Sequence, residues 1–219
     1  MRVLILGAGA MGGYYGGRLI EAKAGADVTF LVREGRKAQL AERGLVIDSP
    51  ACGNFTTSVH AVTGAELGRE KTFDVVLFTC KAYDLDSALE AIAPAVSADT
   101  VVLPVLNGMS HMEMLNARFG ARRVWGGVAK IAAQMLADGT IKHLNDWREL
   151  MFGAQSGEIT PTVKAFAAAF GTCAVKAVPV ANIKQAMWEK CVHLSTVAAM
   201  TSLMRASIGE IDAGLLSPD

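Results

Sequence analysis

The feature that most constrains this chain is a glycine-rich turn within its first twelve residues. A short apolar run, residues 3–6, has the length and composition of a strand that is buried on both faces. It leads directly into Gly7-x-Gly9-x-x-Gly12 and then into a helical pattern. A strand, a glycine turn and a helix in this order form the context in which such a motif binds a dinucleotide.

Each glycine of the turn has its own expected role. Gly7 allows the tight turn, Gly9 lets a pyrophosphate approach bare backbone, and Gly12 lets the helix pack close to the strand. Free N–H groups and the positive end of the helix dipole favour phosphate at the start of the helix. A tight turn without a ligand is the alternative. We predict that the cofactor-binding segment consists of Gly7, Ala8, Gly9, Ala10, Met11 and Gly12.

A second strand-like run, residues 26–32, ends where the residue that selects the cofactor is expected. An acidic residue about 20 positions beyond the last glycine would bind the ribose 2′-hydroxyl of NAD. Here Arg33 is the first polar residue, with Arg36 close behind. A guanidinium suits the charge and geometry of a 2′-phosphate, so we predict a preference for NADP. Glu34 is an acidic residue at the same place, so a preference for NAD stays open. A further interpretation is that these residues form an ordinary charged loop.

The alternation of strand and helix recurs along the chain and predicts an α/β fold with a doubly wound parallel sheet. Residues 73–80 form a strand pattern that Lys81 follows, and residues 100–106 form another that Asn107 follows. Ligands bind at the carboxyl ends of such strands, so we expect both residues near Arg33 and the glycine turn. Lys81 would contact a substrate carboxylate or a cofactor ribose, or be a solvent-exposed loop cation. Asn107 and the glycine after it indicate, by themselves, only a turn.

Shorter elements occupy the rest of this region. Residues 44–64 carry extended pieces that predict small antiparallel strands or an excursion from the main sheet. Asp138 and Gly139 are a strong hairpin signal between two strand-like runs. His143 follows in that hairpin, where we predict a surface histidine. A helix over residues 161–170 and a strand over 172–178 come next.

Composition excludes several classes of function. Formal net charge is zero and the basic residues are dispersed, so no footprint for nucleic acid is present. No window approaches the length of a membrane span, and the N-terminal apolar run is too short for a signal peptide. Widely spaced cysteines without a CxxC pair argue against a metal site or a disulfide framework and favour the reducing cytoplasm. We expect buried free thiols at Cys52, Cys80, Cys173 and Cys191.

A long helix is predicted from residue 183 onward, with Asn182 as its N-cap. Lys190 lies one turn from apolar residues on either side, and no carboxylate stands at either helical spacing. Desolvation should lower the pKa of this lysine, which suits a proton donor near neutral pH. The alternative is an amphipathic lysine whose amine extends into water.

Four motifs in order carry a family resemblance. GAGAMG at 7–12, Cys80-Lys81-Ala82-Tyr83-Asp84, Leu106-Asn107-Gly108-Met109 and Asn182-Ile183-x-x-x-x-Trp188-x-Lys190 together resemble the ketopantoate reductases (2-dehydropantoate 2-reductases). The likeness is collinear from Met1 to about Ile211. It implies a Rossmann domain, here residues 1–178, followed by the start of a helical domain, residues 179–219, with the active site between them. It also implies NADPH-dependent reduction of a small 2-keto acid to the 2-hydroxy acid, a step in pantothenate biosynthesis.

The resemblance also implies roles for single residues. Lys190 matches the catalytic lysine that protonates the nascent alkoxide, and Lys81 and Asn107 match residues near the nicotinamide and the substrate. Ala133 matches a backbone contact to the cofactor. Arg33 takes the place of the arginine that binds the 2′-phosphate.

The chain departs from the family at its substrate residues. Leu194, Ala198 and Ile208 stand where the family presents asparagines to the ketopantoate hydroxyls and carboxylate. An unpaired polar group in such a site costs about 1–3 kcal/mol. We therefore expect a less polar or differently held 2-keto acid, or another carbonyl compound.

Length is the second departure. Family members continue beyond Asp219 with a segment that carries an acidic residue and a serine. We therefore expect a truncated protein or a fragment in which part of the last helix lacks its apolar cover, and a homodimer could supply that cover. The residues expected to lack cover are Ala198, Met200, Leu203 and Met204.

Two other functions remain open from the sequence. The chain could be a nucleotide-binding module without turnover, since it lacks the family's last segment and substrate asparagines. It could also be another Rossmann dehydrogenase of hydroxy acids or polyols, which the set of accepted carbonyl compounds would distinguish.

Overall fold

The computed structural model describes residues 1–68 and 72–214 of the chain. The last five residues of the predicted helical domain, 215–219, lie outside the described part. The strands within it are β1 (Arg2–Leu6), β2 (Asp27–Leu31), β3 (Leu45–Asp48), β4 (Phe55–Thr57), β5 (His60–Val62), β6 (Val75–Phe78), β7 (Val101–Pro104), β8 (Trp125–Lys130), β9 (Ala133–Met135), β10 (Ile141–His143), β11 (Glu149–Ala154) and β12 (Lys176–Pro179). The α-helices are α1 (Ala10–Ala22), α2 (Glu34–Arg43), α3 (Gly64–Leu67), α4 (Leu85–Ile92), α5 (Ser110–Phe119), α6 (Pro161–Ala168), α7 (Ile183–Met204) and α8 (Ile208–Asp212).

The central element is a five-stranded sheet in the order β5-β2-β1-β6-β7, and every neighbouring pair in it is parallel. Leu6 pairs with Leu31 on one side and with Phe78 on the other, and Phe78 pairs with Pro104. The carboxyl ends of these four strands therefore lie side by side. After β1 the chain builds outward through β2 and β5 and then returns to the other side of β1. This places a topological switch point between β1 and β6, where α/β sheets bind ligands. The predicted α/β fold is confirmed.

Both faces of the central sheet are covered, as parallel sheets require. Val3 and Ile5 point into one apolar cluster, which includes Tyr14 of α1. Leu4 points to the opposite face, into a second cluster that includes Leu89 of α4. The near-continuous apolar run of β1 is a consequence of this burial on two sides.

Two smaller sheets extend the molecule. One has the order β4-β3-β10-β9 and the other the order β12-β11-β8. Val102 of β7 makes an isolated parallel bridge to Val124, so the residue before β8 lies beside the edge of the central sheet. The predicted hairpin is present as β9 and β10, and Gly139 at its turn has a φ of +86°. The short strands predicted in 44–64 are present as the antiparallel pair of β3 and β4, whereas β5 instead joins the edge of the central sheet.

Three local predictions need correction. His143 is not a surface residue: it is 2% exposed, because its ring packs against Tyr14 and its Nδ1 lies 2.8 Å from Ser49 Oγ. Asn182 does occupy the N-cap position of α7, but its side chain makes no capping hydrogen bond. The cysteines are free, as expected, but half-buried rather than buried.

Helix α7 is packed at its start and open toward its end. Ile183 and Met187 are buried, whereas Ala198, Met200 and Leu203 are exposed and Met204 is half-buried. The homodimer that could cover these residues stays a prediction. Among the described residues, no helix combines the length and the apolar character that crossing a bilayer requires.

Candidate functional site

The glycine turn joins β1 to α1 at the switch point of the sheet. Gly7 has a φ of +88°, in the left-handed region that favours glycine, and its N–H donates to the carbonyl of Leu31 at 2.8 Å. The hydroxyl of Thr79, just after β6, donates to the carbonyl of Leu6. The turn is thus fixed to both strands that flank β1. Gly9 is the N-cap of α1 and offers no side chain to the first N–H groups of that helix.

Gly12 and Gly9 differ in what surrounds them. A Cβ at Gly12 would lie 2.1 Å from the carbonyl oxygen of Gly7 and 2.6 Å from Thr79 Oγ1, so only glycine allows α1 to pack this closely. A Cβ at Gly9 would meet nothing within 4 Å. The backbone at Gly9 therefore faces open space beside the N-terminus of a helix. This geometry fits a pyrophosphate, which needs bare N–H groups and room to approach.

The remaining residues of the predicted cofactor segment are less open. Ala8 is buried, and its carbonyl accepts a hydrogen bond from Arg36 Nε at 3.1 Å. Ala10 and Met11 form the half-buried first turn of α1. Arg36 also donates to the carbonyl of Gly139 at 3.0 Å. This arginine therefore holds the glycine turn against the β9–β10 hairpin and is not available as a surface cation.

Arg33 is the exposed cation at the end of β2. Its side chain is 87% exposed, and its guanidinium lies 3.5 Å from Asp84 Oδ1. It immediately precedes α2, whose first residue is Glu34. An exposed ion pair of this kind is weak, so Arg33 can reorient toward a ligand at little energetic cost.

Lys81 and Asn107 lie at the same edge. Lys81 follows β6, Asn107 follows β7, and both are exposed. Ala133 is the first residue of β9, which packs against α1. The structure thus places Gly7, Arg33, Lys81 and Asn107 at the carboxyl edge of the central sheet, with Ala133 beside the helix that follows the turn.

Lys190 comes to this edge because of how α7 packs on β8. A Cβ at Gly126 would lie 2.7 Å from Met187 Sδ and 2.8 Å from Ile183 Cγ1, so a glycine is needed for helix and strand to approach. One turn later, Lys190 Nζ donates to the carbonyl of Ala129 at 2.8 Å. Burial lowers the pKa of Lys190 from its ordinary value. The alternative interpretation required the amine to extend into bulk water, and it does not: it is hydrogen-bonded to the protein backbone.

A small cleft lies around the Lys190 amine. It is lined by Leu106, Gly108, Gly127, Val128, Met187, Lys190, Cys191 and Leu194. The lining is apolar apart from the amine, the Cys191 thiol and backbone. Its volume is about 10 Å³, which is room for about one water molecule. Leu194 is thus a wall of the cleft, and Asn107 stands between two other wall residues. Ala198 and Ile208 are exposed and do not line it.

Several residues of this region carry no signal in the sequence. Thr79 and the backbone carbonyl of Ala129 act through single hydrogen bonds that depend on packing between distant segments. Arg36 was visible as a cation near Arg33, but its direction could not be inferred from spacing. The helical spacing around Lys190 indicated in advance only two residues of the cleft wall, Met187 and Leu194.

Comparisons with known proteins agree with this arrangement. Residues 3–157 match the family model described as Ketopantoate reductase PanE/ApbA. The chain is 36% identical over 211 residues to the uncharacterized oxidoreductase YkpB of Bacillus subtilis, covering 96% of this chain and 68% of that protein. It is 26% identical over 214 residues to a 2-dehydropantoate 2-reductase of Nostoc sp., covering 95% of this chain and 65% of that protein.

A solved structure shows the same fold. The crystal structure of 2-dehydropantoate 2-reductase from Porphyromonas gingivalis superposes with a TM-score of 0.87 at 27% identity, covering 97% of this chain and 75% of that one. The chain spans about two thirds of the length of the curated relatives it matches.

Proposed function

Because the chain belongs to the ketopantoate reductase family of oxidoreductases, we propose that it reduces a 2-keto acid to the 2-hydroxy acid, with NADPH as reductant and Lys190 as proton donor. The observation that carries this proposal is the position of the half-buried Lys190 amine. It lies 2.8 Å from the Ala129 carbonyl oxygen, in a cleft whose walls include both neighbours of Asn107. Keto-acid reduction as a class is supported by the family itself.

The residues of the carboxyl edge fit a nicotinamide dinucleotide. Gly7 and Gly12 shape the turn, and the open backbone at Gly9 would receive the pyrophosphate. Arg33 would bind the 2′-phosphate through its exposed guanidinium, and Ala133 would contact the cofactor through its backbone. When bound, the nicotinamide supplies the hydride for the carbonyl carbon.

Lys190 has the properties of a proton donor in this reaction. The Ala129 carbonyl holds one of its three N–H bonds, which leaves two that can reach a substrate oxygen. The ammonium gives one proton to the carbonyl oxygen as the alcohol forms and becomes a neutral amine, which later regains a proton from water. Because burial lowers its pKa below the ordinary lysine value, the proton is easier to transfer than from an exposed lysine.

Asn107 and Lys81 would orient the substrate and the cofactor. Both side chains are exposed at the ends of adjacent strands, β7 and β6. An amide can donate to a substrate carboxylate, and an ammonium can contact a carboxylate or a ribose.

We also propose the division of the chain after residue 178, since α7 begins shortly after β12 and carries the lysine.

The apolar walls of the cleft favour a 2-keto acid with an apolar side chain. Leu106, Val128, Met187 and Leu194 cannot pair with substrate hydroxyls. A panel of pyruvate, 2-oxoisovalerate, phenylpyruvate and ketopantoate, followed by loss of NADPH absorbance, tests the proposal. We expect turnover with at least one aliphatic or aromatic 2-keto acid and weak turnover of ketopantoate. NADPH binding without oxidation across the panel would instead favour the nucleotide-binding module.

Leu194→Asn should shift the substrate preference. The new amide would pair with a substrate hydroxyl, so kcat/KM for ketopantoate should rise about tenfold relative to that for 2-oxoisovalerate. Val192→Asn, on an exposed position of the same helix, is the matched control and should leave the ratio unchanged. An unchanged ratio in Leu194→Asn would remove this residue from the substrate site.

Arg33→Ala tests the predicted cofactor preference. Loss of a guanidinium that pairs with a 2′-phosphate should weaken NADPH binding about tenfold and leave NADH binding nearly unchanged. Dissociation constants from fluorescence titration measure both. Arg118→Ala, on α5 and also in an exposed ion pair, is the control. Tighter binding of NADH than of NADPH by the unmodified protein would contradict the prediction.

A further inference from the structure

A second and larger pocket opens at one end of the three-stranded sheet. Its volume is about 360 Å³, within the range of small-molecule sites and far above that of the Lys190 cleft. Its walls come from the end of β8, the loop before β11, the start of β11 and the start of β12. The lining residues are Lys130, Asp146, Trp147, Arg148, Glu149 and Lys176.

Three of these residues form one row across the sheet. Glu149 is in register with Lys130 on one side and with Lys176 on the other, so the three side chains share a face. Glu149 Oε1 lies 3.0 Å from Lys130 Nζ, and Oε2 lies 3.0 Å from Lys176 Nζ. The hydrogen bond from Lys176 and the contact with Lys130 lower the pKa of Glu149, so the carboxylate stays ionised.

The pocket carries a net positive charge. Two ammonium groups share one carboxylate in the row, and the formal charges of Asp146 and Arg148 cancel. Arg148 donates from Nη1 to the backbone carbonyl of Asp146 at 3.0 Å, not to its carboxylate. Half or more of each lysine side chain in the row is exposed. One positive charge is therefore left for an anion, with donors facing the pocket.

Trp147 gives the pocket an aromatic wall. The residue is 62% exposed, although its backbone carbonyl is held by a hydrogen bond. His143 Nε2 lies 2.7 Å from the Trp147 carbonyl oxygen, which can only accept, so this nitrogen carries the proton. His143 Nδ1 then accepts from the hydroxyl of Ser49 at 2.8 Å. The buried His143 thus fixes the backbone of Trp147, while the exposed indole of Trp147 can stack on a ligand.

We propose that this pocket binds a small aromatic carboxylate, with the ring against Trp147 and the carboxylate between Lys176, Lys130 and Arg148. A planar ring stacks well on an indole, and a carboxylate matches the unbalanced positive charge. Its lining shares no residue with the Lys190 cleft, although Lys130 directly follows Ala129, whose carbonyl accepts from Lys190. The proposal does not depend on the proposed reaction.

Benzoate is the probe for this site. Calorimetric titration of the chain with benzoate should show saturable binding, and Trp147→Ala should weaken it about tenfold. Lys176→Gln should weaken it several-fold because the row then loses its surplus charge. Trp188→Ala and Lys164→Gln, an exposed tryptophan and an exposed lysine outside the pocket, are the matched controls and should change nothing.

The variants separate this site from the proposed active site. Lys190→Met should keep full benzoate binding. Benzylamine, with the same ring and the opposite charge, should not bind, and acetate should bind more weakly than benzoate. Absence of saturable binding, binding that Trp147→Ala leaves intact, or binding lost only in Lys190→Met would overturn the proposal.

Discussion

Replacing Lys190 with methionine should lower kcat for 2-keto acid reduction by about 10²- to 10⁴-fold, the range for loss of a positioned general acid. Methionine keeps most of the apolar stem that packs in the cleft but removes the amine that donates to the Ala129 carbonyl. NADPH affinity should remain within about twofold, since the lysine does not belong to the predicted cofactor segment. Stopped-flow single-turnover assays measure the chemical step, and titration measures cofactor binding.

The control for this substitution is Lys184→Met. Lys184 is exposed and lies six residues earlier on the same helix, so its loss should not change kcat. The pH dependence provides a second readout. The proposed reaction uses a protonated Lys190, so kcat for reduction should fall as pH rises through a pKa below the ordinary lysine value of 10.5. This fall of kcat with rising pH should be absent from the residual activity of Lys190→Met. Unchanged kcat in that variant would remove the lysine from the reaction.

Alanine at Gly9 should weaken cofactor binding alone, whereas alanine at Gly12 should also lower stability. At Gly9 the added methyl meets no protein atom within 4 Å, and φ is −84°, so the thermal stability should be nearly unchanged. The methyl nevertheless occupies the space proposed for the pyrophosphate. NADPH binding should weaken by tenfold or more, and a titration beside a thermal melt measures both quantities.

At Gly12 the methyl would lie 2.1 Å from the Gly7 carbonyl oxygen, so α1 must shift away from β1. We expect a loss of about 1–3 kcal/mol in the free energy of unfolding, together with weaker cofactor binding. Gly35→Ala, in α2 with no atom within 4 Å of the added carbon, is the control for both. If Gly9→Ala binds NADPH as well as the unmodified chain, the phosphate does not lie over this turn.

Much of the framework could be predicted from the sequence because its signals are local. The buried strand, the glycine turn and the helix after it follow from twelve residues, and the Asp138-Gly139 signal located the hairpin. The carboxyl-end rule for parallel sheets then placed Arg33, Lys81 and Asn107 at one edge. These predictions needed only strand order and hydrophobic pattern.

The features that could not be predicted are mostly those that depend on contacts between distant segments. His143 has the pattern of a hairpin residue, but its partner Ser49 lies 94 residues earlier and no local signal indicates that contact. Arg36 and Arg33 have the same residue type near the same strand end, yet one turns inward to Ala8 and the other stays exposed. The acceptor of the Lys190 amine is a backbone carbonyl, which any residue at position 129 would supply.

Transfer of deuterium from cofactor to product tests the central claim most directly. NADPH deuterated at C4 of the nicotinamide, mixed with the chain and the best 2-keto acid of the panel, should yield a 2-hydroxy acid with one deuterium at C2. Mass spectrometry of that product gives the answer. Bound NADPH with no deuterated hydroxy acid from any member of the panel would show that this edge of the sheet holds a nucleotide without reducing a carbonyl.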